Sequence, residues 1–181
     1  MLRKILIGVG VLVMVLGGIL MYLNNQNRTK SPPGEVSATI QGVDVSVAYS
    51  RPSVRGRLVF GTEAEGALQP YGKYWRLGAN EGTEITFSGN VRFMGEKLDA
   101  GAYRVYTYPG KDVFEVRVGT QTGSWGAWEP DPEEDIFTTS IPVQSNSLVE
   151  QFTIDLVPNN GILEMVVTWE KIKLVFPIEP A

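Results

Sequence analysis

Apolar side chains recur at every second position along most of this chain, and that period points to strands rather than helices. Val43, Val45, Val47 and Tyr49 alternate with Asp44, Ser46, Ala48 and Ser50, the pattern of a strand with one buried face. Ala102–Tyr108 and Val113–Val118 flank Pro109-Gly110, a turn pair suited to a hairpin. Phe152, Ile154 and Leu156 share one face of a strand that reaches Pro158-Asn159-Asn160-Gly161, and Asn-Gly is the strongest short hairpin signal. With Ile85–Ser88, Val91–Phe93 and Ile136–Val143 added, the chain holds about eight or nine short strands. That number predicts an all-β fold, a single antiparallel, jelly-roll-like β-sandwich over residues 36–181.

The last strand breaks its own rhythm. Leu163, Met165, Val167 and Trp169 share one parity, whereas Ile172, Leu174, Phe176 and Ile178 share the other. A β-bulge near Glu170-Lys171 returns both sets to one core face. Two strands around a tight Glu-Lys turn fit less well, because neither residue favours positive φ. Helical periodicity is confined to the N-terminus, apart from room for one turn at Tyr71–Trp75.

Residues Ile5 to Leu23 form a 19-residue run without a charge, which as a helix spans roughly 28 Å. Arg3 and Lys4 precede it. The run exceeds the apolar core of a signal peptide, and no alanine occurs before Ala38 to form a cleavage site. A retained membrane anchor over residues 1–23 is the expectation. The positive-inside rule then sets the N-terminus in the cytoplasm and the rest of the chain in the periplasm or outside the cell. Asn24 to Glu35, with Ser31-Pro32-Pro33-Gly34, reads as a short polar tether.

Composition closes off several chemistries. Without a histidine or a cysteine the chain can build no Ser-His-Asp or Cys-His triad and no zinc site on those ligands. Neither GxxxxGK[ST] nor GxGxxG occurs, so no nucleotide cofactor is expected. Setting aside Arg3 and Lys4 leaves 14 Lys+Arg against 20 Asp+Glu, a net charge of −6, which argues against nucleic acid as a partner. The acidic Asp131-Pro132-Glu133-Glu134-Asp135 stretch lacks the ligand spacing of a calcium loop and reads as solvated surface.

The densest side-chain chemistry lies between Tyr49 and Phe87. Arg51, Arg55, Arg57 and Arg76 occur there with Trp75, Asn80 and Glu81 among glycine and proline turns, the composition of a surface that meets a ligand. These seven residues form the candidate binding site, for an anionic or glycan ligand of the cell envelope or a protein partner. Arginines at turns also hold backbone carbonyls, and Arg76 next to Trp75 fits an internal role. Glu81, with Glu84 nearby, is the catalytic candidate if the protein is a carboxylate-dependent hydrolase. Trp125 and Trp128 form a secondary aromatic pair, of which at least one indole is expected to be buried.

The same segment carries a resemblance. Ser50-Arg51-Pro52-Ser53-Val54-Arg55-Gly56-Arg57, Pro70-Tyr71-Gly72, Trp75-Arg76-Leu77-Gly78-Ala79-Asn80-Glu81, Leu98-Asp99-Ala100-Gly101-Ala102-Tyr103 and Trp125-Gly126-Ala127-Trp128 resemble the bacterial family known as domain of unknown function 2911. The likeness runs from about Val36 to Ile178. It implies an exported β-sandwich protein of the Bacteroidota type, with no activity to carry over. Gln69 stands where the family has an apolar residue and Leu77 where it commonly has threonine; the apparent anchor replaces a cleavable signal. The expectation is a membrane-anchored binding or interaction module of the bacterial envelope. The alternatives are a hydrolase of an envelope glycan or ester and a structural subunit of an envelope complex.

Overall fold

Three of the hairpins turn on pairs of residues with positive φ at both central positions, as type I′ turns demand. These are Gln41-Gly42, Met94-Gly95 and Asn160-Gly161. The computed structural model in which they occur describes residues 2–181, with side chains from Leu6 onward; the Arg3 and Lys4 side chains lie outside the described residues.

The first element is a helix, α1 (Leu2–Lys30), long and apolar enough to cross a membrane, a test that a signal sequence near an N-terminus also passes. It continues through Asn24–Lys30, the stretch expected to be a tether. Those residues contain no proline or glycine, and Arg28 and Lys30 suit the negative end of a helix dipole. Pro32 and Pro33, which lack the amide a helix needs, end it. Strand β1 (Pro33–Ile40) follows at once, so the helix and the first strand are separated by two residues.

A six-stranded sheet has the order β1, β2 (Val43–Ser50), β5 (Thr83–Phe87), β8 (Gly101–Tyr108), β9 (Val113–Gly119) and β10 (Asp135–Pro142). A four-stranded sheet has the order β11 (Gln144–Asn159), β12 (Ile162–Pro180), β6 (Val91–Phe93) and β7 (Glu96–Leu98). Neighbours within both sheets are antiparallel; only the small pair β3 (Phe60–Gly61) and β4 (Gln69–Pro70) is parallel. Twelve strands rather than eight or nine result because β3, β4 and β7, two or three residues long, add to those expected.

The two sheets bury one core between them. Val45, Val47, Ile85, Phe87, Val105, Val116 and Val118 from one face Phe152, Ile154, Met165, Val167, Leu174 and Phe176 from the other. The bulge expected at Glu170 is present: Glu170 has φ +51, and the register against β11 shifts on either side of its partner Val149. Trp169 and Leu174 are thereby both buried although they lie on opposite parities. Tyr71–Trp75 forms a turn closed by the Lys73 amide on the Pro70 carbonyl, and the short helical turn occurs instead at Glu63–Glu65, capped by Thr62.

Candidate functional site

Between β2 and β5 the chain leaves the sheet for 32 residues, Arg51 to Gly82, and this excursion carries all seven candidate residues. It is held to the sandwich along its length. Trp75 exchanges both backbone hydrogen bonds with Thr107, at 2.8 and 2.9 Å, and Phe152 donates its amide to the Pro52 carbonyl at 2.8 Å. Past Trp75 the backbone turns sharply. Leu77, Gly78 and Asn80 all have positive φ, and Leu77, fully buried, tolerates it at a cost of about 1–2 kcal/mol. A Cβ on Gly78 would lie 2.9 Å from the Ser50 carbonyl oxygen, so only glycine fits there.

The seven candidates separate by what they touch. Trp75 is 1% exposed, stacks on Trp169 at 5.8 Å and donates Nε1–H to the Gly78 carbonyl at 3.1 Å. It supports the Leu77–Asn80 turn from beneath and presents no surface of its own. Arg51 lies against the other sheet, donating to the Phe152 carbonyl at 3.4 Å and to Thr153 Oγ1 at 3.1 Å. Glu81 pairs with Arg28 of α1, and Asn80 donates Nδ2–H to the Ser31 carbonyl at 3.0 Å. Arg55 donates to the Lys30 carbonyl at 2.8 Å, while its amide binds the Glu150 carboxylate. Arg57 reaches the Val54 and Ser53 carbonyls at 3.0 and 2.6 Å, and Arg76 the Asn80 carbonyl at 3.1 Å.

Arg57, Arg76 and Asn80 are brought together around a hollow of about 220 Å³ that also touches Ser31, Gly78, Ala79 and Trp169. A second hollow, of about 170 Å³, shares Ser31, Arg57 and Asn80 with it and adds Asn27, Lys30, Ser53 and Arg55. Four cationic residues therefore line two adjoining hollows, and no carboxylate lines either. Among the described residues none of the four forms an ion pair. A guanidinium carries five N–H donors, so one or two carbonyl contacts leave Arg57 and Arg76 with donors to spare. Burial pushes the Arg76 guanidinium below its ordinary value, as does Arg104, with Tyr74 opposing them.

Trp169 borders the larger hollow but is itself fully buried, and its Nε1–H meets no acceptor among the described residues. A buried donor left unpaired costs about 1–3 kcal/mol. Donor groups thus dominate the site chemically, and it suits an oxyanion with several acceptor oxygens.

Glu81 and Glu84 meet at a third hollow, of about 300 Å³, with Arg28, Tyr49, Gly82 and Ser124. Glu81 is engaged by Arg28, and Glu84 accepts the Gly123 amide at 2.6 Å. Trp125 and Trp128 lie on the 120–134 connection, which crosses the outer face of the six-stranded sheet. That connection is held by Gly123 on Glu84, Ser124 on Arg104 and Tyr74 on the Gly126 carbonyl. Trp125 bridges Glu81 and is half-buried, and Trp128 is 74% exposed. Neither indole is buried, because polar bonds to outward-facing residues hold the loop in place of a packed indole.

Sequence reasoning missed Ser31, Lys30, Trp169 and Arg104. Arg104 is 0% exposed, donating to Ser124 Oγ at 2.7 Å and Tyr74 Oη at 2.8 Å, with Nε unpartnered. A Cβ on Gly82 would run into its guanidinium. Its position in β8 between apolar Tyr103 and Val105 was the available signal. Trp169 reads as plain core from its parity, and nothing local marks its indole nitrogen.

Together these features define an all-β sandwich of two antiparallel sheets behind one N-terminal apolar helix, with a cation-lined hollow where helix and sandwich meet. The chain belongs to the family described as Protein of unknown function (DUF2911), whose model matches residues 31–178. No curated protein and no solved structure matches it.

Proposed function

We propose that this protein is a membrane-tethered binding module whose sandwich faces the periplasm or cell exterior and takes an anionic ligand in the joined hollows beside α1. One observation carries this reading: Lys30, Arg55, Arg57 and Arg76 line the hollows without a carboxylate among the lining residues and, among the described residues, without an ion pair of their own. Cations gathered this closely repel one another, and an oxyanion that takes bidentate guanidinium bonds offsets the repulsion. Arg51, Trp75 and Glu81 support the site from behind, through β11, the core and α1 respectively.

The test is a double variant, Arg55→Ala with Arg57→Ala, in the full chain held in a zwitterionic detergent. Binding of inorganic phosphate or sulfate is expected to fall at least about tenfold, the value of one lost charge-assisted bond. The melting temperature is expected to stay nearly unchanged, since Arg57 bonds only to the Val54 and Ser53 carbonyls and Arg55 to a carbonyl of α1, outside the sandwich core. A large fall in melting temperature would identify these arginines as structural supports.

A further inference from the structure

We infer that the anion this site takes is the phosphate of an anionic phospholipid headgroup in the membrane that α1 enters. The inference rests on the anion-binding reading above and names its ligand. Its basis is position. The smaller hollow is built partly from α1 and the residue that follows it, through Asn27, Lys30 and Ser31, and partly from Arg55 and Arg57. The helix is continuous from its apolar run to Lys30, so Lys30 stands seven residues past Leu23. At 1.5 Å per residue that is about 10 Å along the axis. The headgroup layer extends about 5–8 Å beyond the hydrocarbon, and long basic side chains reach several ångströms back toward it. The cationic mouth of the site therefore sits at the depth where lipid phosphates lie.

The contacts between helix and sandwich hold this geometry. Arg28 pairs with Glu81, Asn80 binds the Ser31 carbonyl and Arg55 binds the Lys30 carbonyl, so the last turn of α1 and the residue after it are fastened to the rim of the hollow at three points. A ligand that diffuses freely needs no such fixed distance from the bilayer. A headgroup does, because its acyl chains stay in the hydrocarbon while the phosphodiester reaches the guanidinium groups. The negative surface potential of an anionic leaflet adds to the attraction for each basic residue near it.

The experiment uses the full chain in nanodiscs of phosphatidylcholine alone, of phosphatidylcholine with phosphatidylglycerol, and of phosphatidylcholine with added inorganic phosphate. Amide hydrogen exchange is read at residues 53–57 and 76–81, with the core strands β5 and β8 as the folding control. Phosphatidylglycerol is expected to slow exchange at the site by about tenfold, as one charge-assisted bond would. That protection should vanish in Arg55→Gln with Arg57→Gln while β5 and β8 stay protected. Protection by inorganic phosphate but not by phosphatidylglycerol would overturn the lipid assignment and leave the anion site standing. No response to either would overturn both. If the double variant exposes β5 and β8, Lys30→Gln, which alters only the helix side of the hollow, decides: undiminished phosphatidylglycerol protection in it overturns the inference.

Discussion

Asn80 donates its side-chain amide to the Ser31 carbonyl at 3.0 Å, so a residue of the hollow is bonded to the first residue after the membrane-type helix. Asn80 also holds φ at +57, a conformation asparagine and glycine accept more readily than other residues. The two roles separate by substitution. Asn80→Gly keeps the backbone and removes the bond, with an expected loss of about 1 kcal/mol in urea denaturation. Asn80→Ala adds left-handed strain and should lose about 1–2 kcal/mol more. Equal losses would show that backbone conformation is immaterial there.

Trp75 never reaches the hollow, yet its indole holds the Gly78 carbonyl that shapes the wall. Trp75→Phe retains much of the core packing and deletes that bond. It should weaken phosphate binding several-fold while costing about 1–3 kcal/mol of stability. Unchanged phosphate affinity would mean that the Leu77–Asn80 turn keeps its shape without the indole.

Gly82 leaves room for a buried guanidinium. Gly82→Ala forces Arg104 to move and should destabilise by about 3 kcal/mol, as overpacking does. Arg104→Met should lose far less than Arg104→Ala, because a long apolar chain refills the space and needs no counter-ion. If Met and Ala cost the same, the hydrogen bonds to Ser124 and Tyr74 outweigh packing. Thermal or urea melts of the three variants check this.

Much of the fold was legible because its causes are local. Alternation marked β2, β8, β9, β11 and β12, Asn160-Gly161 and Pro109-Gly110 marked their hairpins, and the parity change at Glu170 marked the bulge. The extension of α1 to Lys30 was not legible, since Asn24–Lys30 has no apolar stripe to announce a helix. The site was legible as a region but not as an arrangement. Arg51 meets Thr153 across 102 positions of sequence, and Asn80 meets Ser31 across 49. Pairings at such separations are set by the sheets, and no neighbouring residue foretells them. Trp169 entered the hollow for the same reason.

Asp135 supplies a pH dependence of known sign. Burial raises its carboxyl above the ordinary aspartate value of 3.8, with the Tyr106 hydroxyl and Arg117 opposing the rise. The folded state then binds the proton more tightly than the unfolded chain. Stability from this group falls as pH climbs from the ordinary value through the raised one, and is constant above it. Asp135→Asn should remove that fall, and Tyr106→Phe, which takes away a donor to the carboxylate, should extend it to higher pH. Urea midpoints of each variant against the wild type across the acid range check the slope. A difference that grows in the opposite direction would show a carboxyl held down rather than raised.

The most direct measurement is a titration of the full chain with inorganic phosphate, followed by the amide resonances of Gly78, Ala79 and Asn80. A donor-lined site gives saturable shifts confined to residues 27–31, 53–57 and 76–81, lost in Arg57→Gln with Arg76→Gln while the melting temperature holds. Shifts that fail to saturate, or that persist undiminished in the double variant, would contradict it.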